Sequence, residues 1–196
     1  MKIGVIAIQG DVEEHVTALE KTLAEREEKG AVVKIKHQGV VGSCDAIVIP
    51  GGESTTIGRL MEREGILPEL KEAAEARKPI LGTCAGMVLL ANEGDEEVAK
   101  TGQPLLGLMD VKVKRNAFGR QKEPFEVPLK MSVFEVPFHA VFIRAPAITQ
   151  AAENVDVLAT FEGRIVAAKQ KDIIALSFHP ELTEDRRIHH YFLDLL

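Results

Sequence analysis

The chain has 196 residues, 45% of them hydrophobic and 28% charged, values that suit one well-buried domain over 1–196 and exclude a disordered or fibrous polymer. Its net charge of −6, with no basic stripe carrying interleaved aromatics, argues against a nucleic-acid partner. The longest uncharged segment, 79–92, is shorter than the roughly 18 residues a membrane span requires, and the amino terminus lacks a small-residue cleavage site. A soluble, cytoplasmic chain is expected, with no membrane contact.

The first apolar run, Lys2 to Gln9, reads as a strand. Behind it Val12, Val16, Leu19 and Leu23 place one apolar stripe on a helix that Gly30 ends. His15 lies in this helix and reads as exposed or as a packing residue. Strands follow at Ala31 to His37 and Ala46 to Pro50. After the second, two glycines precede Ser54, Thr55 and Thr56, any of which could cap a helix. Leu60 to Arg77 is a helical stretch interrupted near Pro68.

Pro79 to Thr83 reads as a short buried strand and Ala85 to Asn92 as a helix; residues 93–104 form the most plausible exposed loop. From Val111 to Lys169 the strands (Val111 to Lys114, Val141 to Ile143, Val155 to Thr160, Ile165 to Lys169) follow one another through turns, including "AFGRQKEP" and "FEGR", with no long helix between them. Ile173 to Ser177 is a last strand and Asp185 to Leu196 a closing helix, where His189 and His190 read as surface residues. Strands alternating with helices in the first half indicate parallel βαβ units, and the turn-linked second half indicates antiparallel or mixed pairing. The expected fold is α/β, a three-layer sandwich around a mixed, mainly parallel central sheet.

Two cysteines, Cys44 and Cys84, are both taken as thiols, since nothing else points to an oxidising compartment. Cys84 sits in "GTCAG", at the junction of strand and helix. Glycines on either side of a nucleophile mark a strained strand-to-helix elbow, and a helix amino terminus favours a thiolate. The alternative is a small buried core cysteine.

A cysteine nucleophile needs a base. His179 directly follows a buried strand and precedes Pro180, which disfavours helical geometry at His179 and holds it extended. Glu181, two residues on, then lies beside the imidazole, as the acid that fixes a catalytic base in its tautomer must. Alone, "HPE" reads equally as a turn opening the last helix. The glycines of "PGGEST" leave backbone N–H groups uncovered, as an oxyanion hole requires, with Ala85 N–H as a second donor; alone, this too reads as an ordinary tight turn. A zinc site of these residue types lacks the usual ligand spacing, so no metal is expected.

In that order, "PGGEST", "GTCAGM" and "SFHPELTED" resemble the triad-type, class I glutamine amidotransferases, whose architecture is flavodoxin-like. "IAIQGDVEEH", "KRNAFGRQ", "FIRAP" and "GRIVAAKQ" further resemble one member family, the glutaminase subunits of pyridoxal 5′-phosphate synthase. The resemblance implies Cys84 as nucleophile with His179 and Glu181 completing the triad. It implies Gly52 and Ala85 as the oxyanion hole, and Gly52, Glu53, Ser54, Arg115, Ile143 and Arg144 as the L-glutamine pocket. Independently, an arginine suits the free α-carboxylate of glutamine, although Arg115 and Arg144 also read as solvated strand-end charges.

The resemblance further implies no metal or organic cofactor on this chain, and a (β/α)₈ synthase subunit that takes the ammonia within a large hetero-oligomeric complex. Its main departure is the carboxyl end, which stops at Leu196 where family members often run on. Three other readings stand beside it: a glutaminase serving another synthase such as imidazole glycerol phosphate synthase, a cysteine-elbow stress-response or peptidase-like relative, and a non-enzymatic binding module.

Overall fold

A computed structural model describes residues 1–119 and 124–196. Arg120 and Gln121 of "FGRQ" lie outside the described residues, as does most of the connection between the two glycine-rich and proline-rich ends of "AFGRQKEP". The first half alternates strand and helix: β1 (Lys2–Ile6), α1 (Val12–Glu25), β2 (Ala31–Ile35), β3 (Ala46–Ile49), α2 (Ser54–Arg63), α3 (Ile66–Glu75), β4 (Ile80–Thr83) and α4 (Ala85–Leu90). After β5 (Ala91–Glu93) and α5 (Glu96–Thr101) come β6 (Met109–Lys114), β7 (Phe125–Leu129), β8 (Phe138–Phe142), β9 (Ala147–Ala151), β10 (Asp156–Phe161), β11 (Arg164–Gln170), β12 (Ile173–Leu176) and α6 (Arg187–Leu193).

The strands form a central sheet in the order β2-β1-β3-β4-β12-β11-β9-β6-β5, with β10 paired to β11. From β2 to β12 every pairing is parallel, whereas β11 pairs antiparallel with β12, β9 and β10. The chain is thus α/β with a mixed sheet, and the parallel half is the half that the βαβ pattern marked.

The parallel strands carry apolar residues on both faces. On β3, Ile47 and Ile49 pack with α2, α3 and α4, while Ala46 and Val48 pack with α1 and α6 on the opposite face. On β12, Ile173 and Ala175 alternate with Ile174 and Leu176 in the same way. A strand covered on both sides must be apolar at every position, so these runs read as unbroken Ile and Val rather than as alternation. The β7–β8 hairpin packs Phe138 and Phe142 onto the α1 and α6 face.

Several boundaries differ from the sequence reading. The second helical stretch breaks at Gly65, which takes φ of 72°, and not at Pro68, the third residue of α3, where a proline removes no intrahelical bond. Residues 93–104 hold a short helix, α5, capped by Asp95, whose side chain accepts from the N–H groups of Glu97 and Val98. The helix after Cys84 stops at Leu90, because Ala91 turns extended into β5.

His189 is not a surface residue. With Ile188, Phe192 and Leu193 it lies on the buried face of α6, and its ring stands edge-on to His15 of α1. Its neighbour His190 does point outward, to Glu25 at 2.9 Å. Neither ring nitrogen of His189 has a hydrogen-bond partner among the described residues, and burial pushes its pKa down to about 3. The folded chain keeps this ring neutral from its ordinary value of 6.5 down to about 3, whereas the unfolded chain protonates it. Stability is therefore intact above that ordinary value and falls with decreasing pH, by up to about 1.4 kcal/mol per unit for this one group. We expect His189→Leu to match wild type in urea unfolding at pH 7.5 and to exceed it by about 1 kcal/mol at pH 5.5. Parallel losses in the two proteins would contradict this.

Candidate active site

The chain passes from β1 to β2 on one side of the sheet and returns to β3 on the other, so the carboxyl ends of β1 and β3 flank a topological switch point. Open α/β sheets bind ligands in the crevice at such a point. The segments leaving β1, β3, β4 and β12 all converge there, around a cavity of about 560 Å³ lined by Gln9, Asp11, Gly52, Glu53, Ser54, Cys84, Ala85, Arg115, Ile143, Arg144 and His179 among others. Every candidate residue named from the sequence except Glu181 lines this one cavity; Glu181 stands directly behind His179.

Cys84 has φ of 48° and ψ of −101°, a strained conformation for a residue with a side chain. Its N–H is tied to Leu176 of β12 at 2.8 Å, and Ala85 begins α4. The flanking glycines are required by close approach: a Cβ on Gly82 would lie 2.8 Å from the carbonyl carbon of Gly86, and one on Gly86 would overlap the Ile49 carbonyl oxygen. The thiol points to the Ile143 carbonyl oxygen, 3.8 Å from Sγ.

His179 is held out of helical geometry, as Pro180 demands, with φ of −110° and ψ of 86°, and its N–H is held by the Val141 carbonyl at 2.8 Å. Glu181 is in a 3₁₀ turn, Pro180–Leu182, and not in an extended segment, yet its Oε1 accepts from Nδ1 of His179 at 2.8 Å. Asp11 Oδ2 is a second acceptor beside the same nitrogen, at 3.3 Å. Burial alone would lower the imidazole pKa, but the Asp11 carboxylate, the neighbouring Cys84 thiol and the Glu181 carboxylate outweigh it and raise the pKa to about 12. Nε2 is buried and has no hydrogen-bond partner among the described residues.

Asp11, His179 and Glu181 place three ligand-type atoms within 4.8 Å of one another. Both carboxylates address one ring nitrogen at hydrogen-bond range, which is the arrangement of acceptors about an N–H rather than of ligands about an ion.

The "PGGEST" turn is fixed from several sides. Gly51 leaves room for the His179 ring, since a Cβ there would lie 2.5 Å from its Cε1. Gly52 takes φ of 142° with the Gln9 side chain against it, and Gln9 Oε1 accepts from Glu53 N–H at 3.0 Å. Glu53, and not a following hydroxyl residue, caps α2: its carboxylate accepts from Thr55 N–H at 3.1 Å and Thr56 N–H at 2.7 Å. It also accepts from Arg115 Nη2 at 3.0 Å. Burial opposes its ionisation, but the hydroxyl and N–H donors of Thr56 and Thr55 hold its pKa down at about 2.

Arg115 is further tied to Thr55 and to Gln103, whose Oε1 also takes the Ser54 hydroxyl at 3.1 Å. Arg144 lines the cavity from a left-handed backbone position, φ 46°, with no ion-pair partner among the described residues. Gln9, Asp11, His15 and Gln103 were not singled out from the sequence as site residues, His15 being read there as exposed or as a packing residue, whereas it is fully buried. For the first three a signal existed: they directly follow the strand at the switch point, and His15 lies one helical turn beyond Asp11.

A model of the SNO glutamine amidotransferase family matches residues 5–196. The chain belongs to this family. It is 61% identical to the pyridoxal 5′-phosphate synthase subunit PdxT of Methanococcoides burtonii, over 100% of this chain and 99% of that protein. It is 55% identical to the PdxT subunit of Archaeoglobus fulgidus, over 100% of this chain and 98% of that protein. The crystal structure of a glutamine amidotransferase superposes with a TM-score of 0.86 at 43% identity, covering 98% of this chain and 97% of that one. The structure of PurLQS from Thermotoga maritima, at 17% identity and a TM-score of 0.64, shares the fold.

The elbow gives a direct test. Gly86→Ala drives a Cβ into backbone and should destabilise the fold by about 3 kcal/mol or more in urea unfolding. Gly42→Ala, with nothing within 4 Å of its Cβ, should change stability by under about 0.5 kcal/mol. Equal effects would contradict the close-approach reading.

Proposed function

We propose that the chain, acting as a single glutamine amidotransferase domain over 1–196, hydrolyses L-glutamine to L-glutamate and ammonia. It passes the ammonia to a (β/α)₈ synthase subunit that makes pyridoxal 5′-phosphate. One observation carries the reading: a cysteine on a strained elbow shares a cavity with a histidine whose far nitrogen is held by a buried carboxylate. The PdxT relatives, each named a pyridoxal 5′-phosphate synthase subunit, support the destination of the ammonia. The same relatives leave imidazole glycerol phosphate synthase and peptidase-like readings without support. No helix among the described residues is long and apolar enough to cross a membrane.

In this reading the Cys84 thiolate attacks the side-chain amide carbon of glutamine. The amide oxygen, now an oxyanion, takes the N–H groups of Gly52 and Ala85. His179, held as imidazolium by Glu181, gives its Nε2 proton to the departing nitrogen, so ammonia leaves and a γ-glutamyl thioester remains. Water then gives a proton to Nε2 as its oxygen attacks the thioester carbon, releasing glutamate and restoring the thiolate–imidazolium pair. Arg144 and Arg115 face the α-carboxylate and the pocket wall, with Glu53, Ser54 and the Ile143 carbonyl completing the glutamine pocket.

Cys84→Ala should abolish glutamine hydrolysis with the fold intact, while Cys44→Ala, whose thiol is buried beside β1, should not. Glu181→Gln should cost less than His179→Ala, since the acid orients the ring but transfers no proton. Loss of activity in Cys44→Ala alone, or equal and complete losses at 179 and 181, would contradict these roles.

The oxyanion hole also yields an expectation about coupling. The Gly51 carbonyl accepts from Asp11 N–H at 3.3 Å, and this bond sets the orientation of the peptide that bears the Gly52 N–H. If synthase binding reorients that peptide inward, one oxyanion donor is gained, worth about 10²- to 10³-fold in turnover. Glutamine hydrolysis should therefore rise saturably with added synthase; a free chain already at the rate of the complex would contradict the coupling.

A further inference from the structure

A buried histidine of α1 stands against Thr83 and Glu181, beside the residues proposed as the triad. His15 is fully buried in α1, yet it interrupts a stripe that otherwise runs Val12, Val16, Leu19, Leu23. A helix built only to pack would carry another aliphatic side chain there, because a buried imidazole with unmet polar atoms is costly. Its Nε2 lies 3.0 Å from Thr83 Oγ1 and 3.4 Å from Glu181 Oε2. Thr83 is the residue before the nucleophile, and Glu181 is the residue behind the base. Nδ1 of His15 has no partner among the described residues.

The chemistry of the contacts fixes the tautomer. A carboxylate oxygen offers only lone pairs, so the nitrogen facing Glu181 must carry the proton. Burial lowers the pKa of His15 and keeps it neutral, against the raising influence of Glu181. The charged or titratable groups that face it are Glu181 and His179 from the end of β12, Asp11 and Glu14 from its own helix, and His189 from α6. Glu181 Oε2, buried on the far side from His179, has no hydrogen bond among the described residues and only this N–H in ion-pair range.

We infer that His15 is a positioning residue for the triad: its Nε2–H, bonded to Thr83 Oγ1 and 3.4 Å from Glu181 Oε2, sets a positive edge against that oxygen and keeps the carboxylate turned so that Oε1 stays on His179 Nδ1. Without that donor, Oε2 is a bare buried anionic oxygen. It then rotates toward water or takes a proton, and the imidazolium of His179 loses its counter-charge. The inference rests on the glutaminase reading for its kinetic consequence, but the coupling to Cys84 is independent of substrate.

The test compares His15→Leu, His15→Asn and His15→Gln in the full-length chain. The glutamine amide nitrogen reaches about as far as Nε2, the shorter asparagine amide does not, and leucine keeps the volume without a donor. We expect His15→Leu and His15→Asn to lower kcat for glutamine hydrolysis about tenfold or more with KM within about twofold, and His15→Gln to recover most of the loss. Independently, iodoacetamide should alkylate Cys84 about tenfold more slowly at pH 6 in the Leu and Asn variants, with Gln close to wild type, because the thiolate–imidazolium pair is weakened.

A Leu or Asn variant with wild-type kcat and a wild-type alkylation profile overturns the inference. So does a loss in all three variants that follows thermal stability while the alkylation profile stays fixed, since that marks a purely structural residue. If Leu does not fold, the Asn and Gln pair decides. A wild-type chain that does not hydrolyse glutamine removes the glutaminase reading, and the alkylation profiles still decide the role of His15.

Discussion

The hydrogen bond from His179 Nδ1 to Glu181, 2.8 Å long and closed off from water, is the interaction around which the rest of the site is arranged. A charged imidazole in a buried position is costly, so the ring must be surrounded by groups that stabilise it. The surroundings show that demand. Asp11 approaches the same nitrogen from the start of α1, Gly51 gives up its side chain to make room for the ring, and the 3₁₀ turn that Pro180 opens brings the carboxylate two residues on back to it. An imidazolium held in this way is the acid that a departing amide nitrogen needs.

The sheet supplies what that interaction cannot supply for itself, which is placement. Four parallel strands end at one level, and the segments leaving them bring residues 9–11, 51–54, 84–85 and 179–181 to one crevice. The strain at Cys84 is held by its N–H bond to β12 and by glycines that let α4 and β3 approach to backbone contact. The packed interior on both sides of the sheet keeps that geometry fixed, so the positive φ at the elbow persists. Opposite Cys84, Glu53 ties the start of α2 to Arg115 of the antiparallel half, so the cavity wall is anchored to both halves of the sheet.

The parts of this arrangement written locally in the chain were legible from it. "GTCAG" specifies an elbow within five residues, "HPE" sets imidazole and carboxylate within three, and βαβ alternation gives the class of fold. What escaped was set by distance along the chain or by competing local signals. Asp11 and His15 meet His179 and Glu181 from more than 160 residues away, and Gln103 joins Arg115 and Ser54 only in three dimensions. Pro68 looked like a helix breaker but falls in a first turn, where its missing N–H costs nothing, while Gly65 carries the positive φ that separates α2 from α3. His189 looked exposed because histidine is polar; its helix turns that position inward beside His15, and burial overrides the residue type.

The central claim is that Cys84, and no other group, is the nucleophile that this geometry activates toward a glutamine amide. The most direct measurement is labelling with an electrophilic glutamine analogue, followed by peptide mass spectrometry and a parallel assay of glutamine hydrolysis. The structure predicts one label per chain, on Cys84, with activity lost in proportion, protection by excess L-glutamine and Cys44 unmodified. Full labelling of Cys84 with hydrolysis undiminished, or inactivation with the label on another residue, would contradict it.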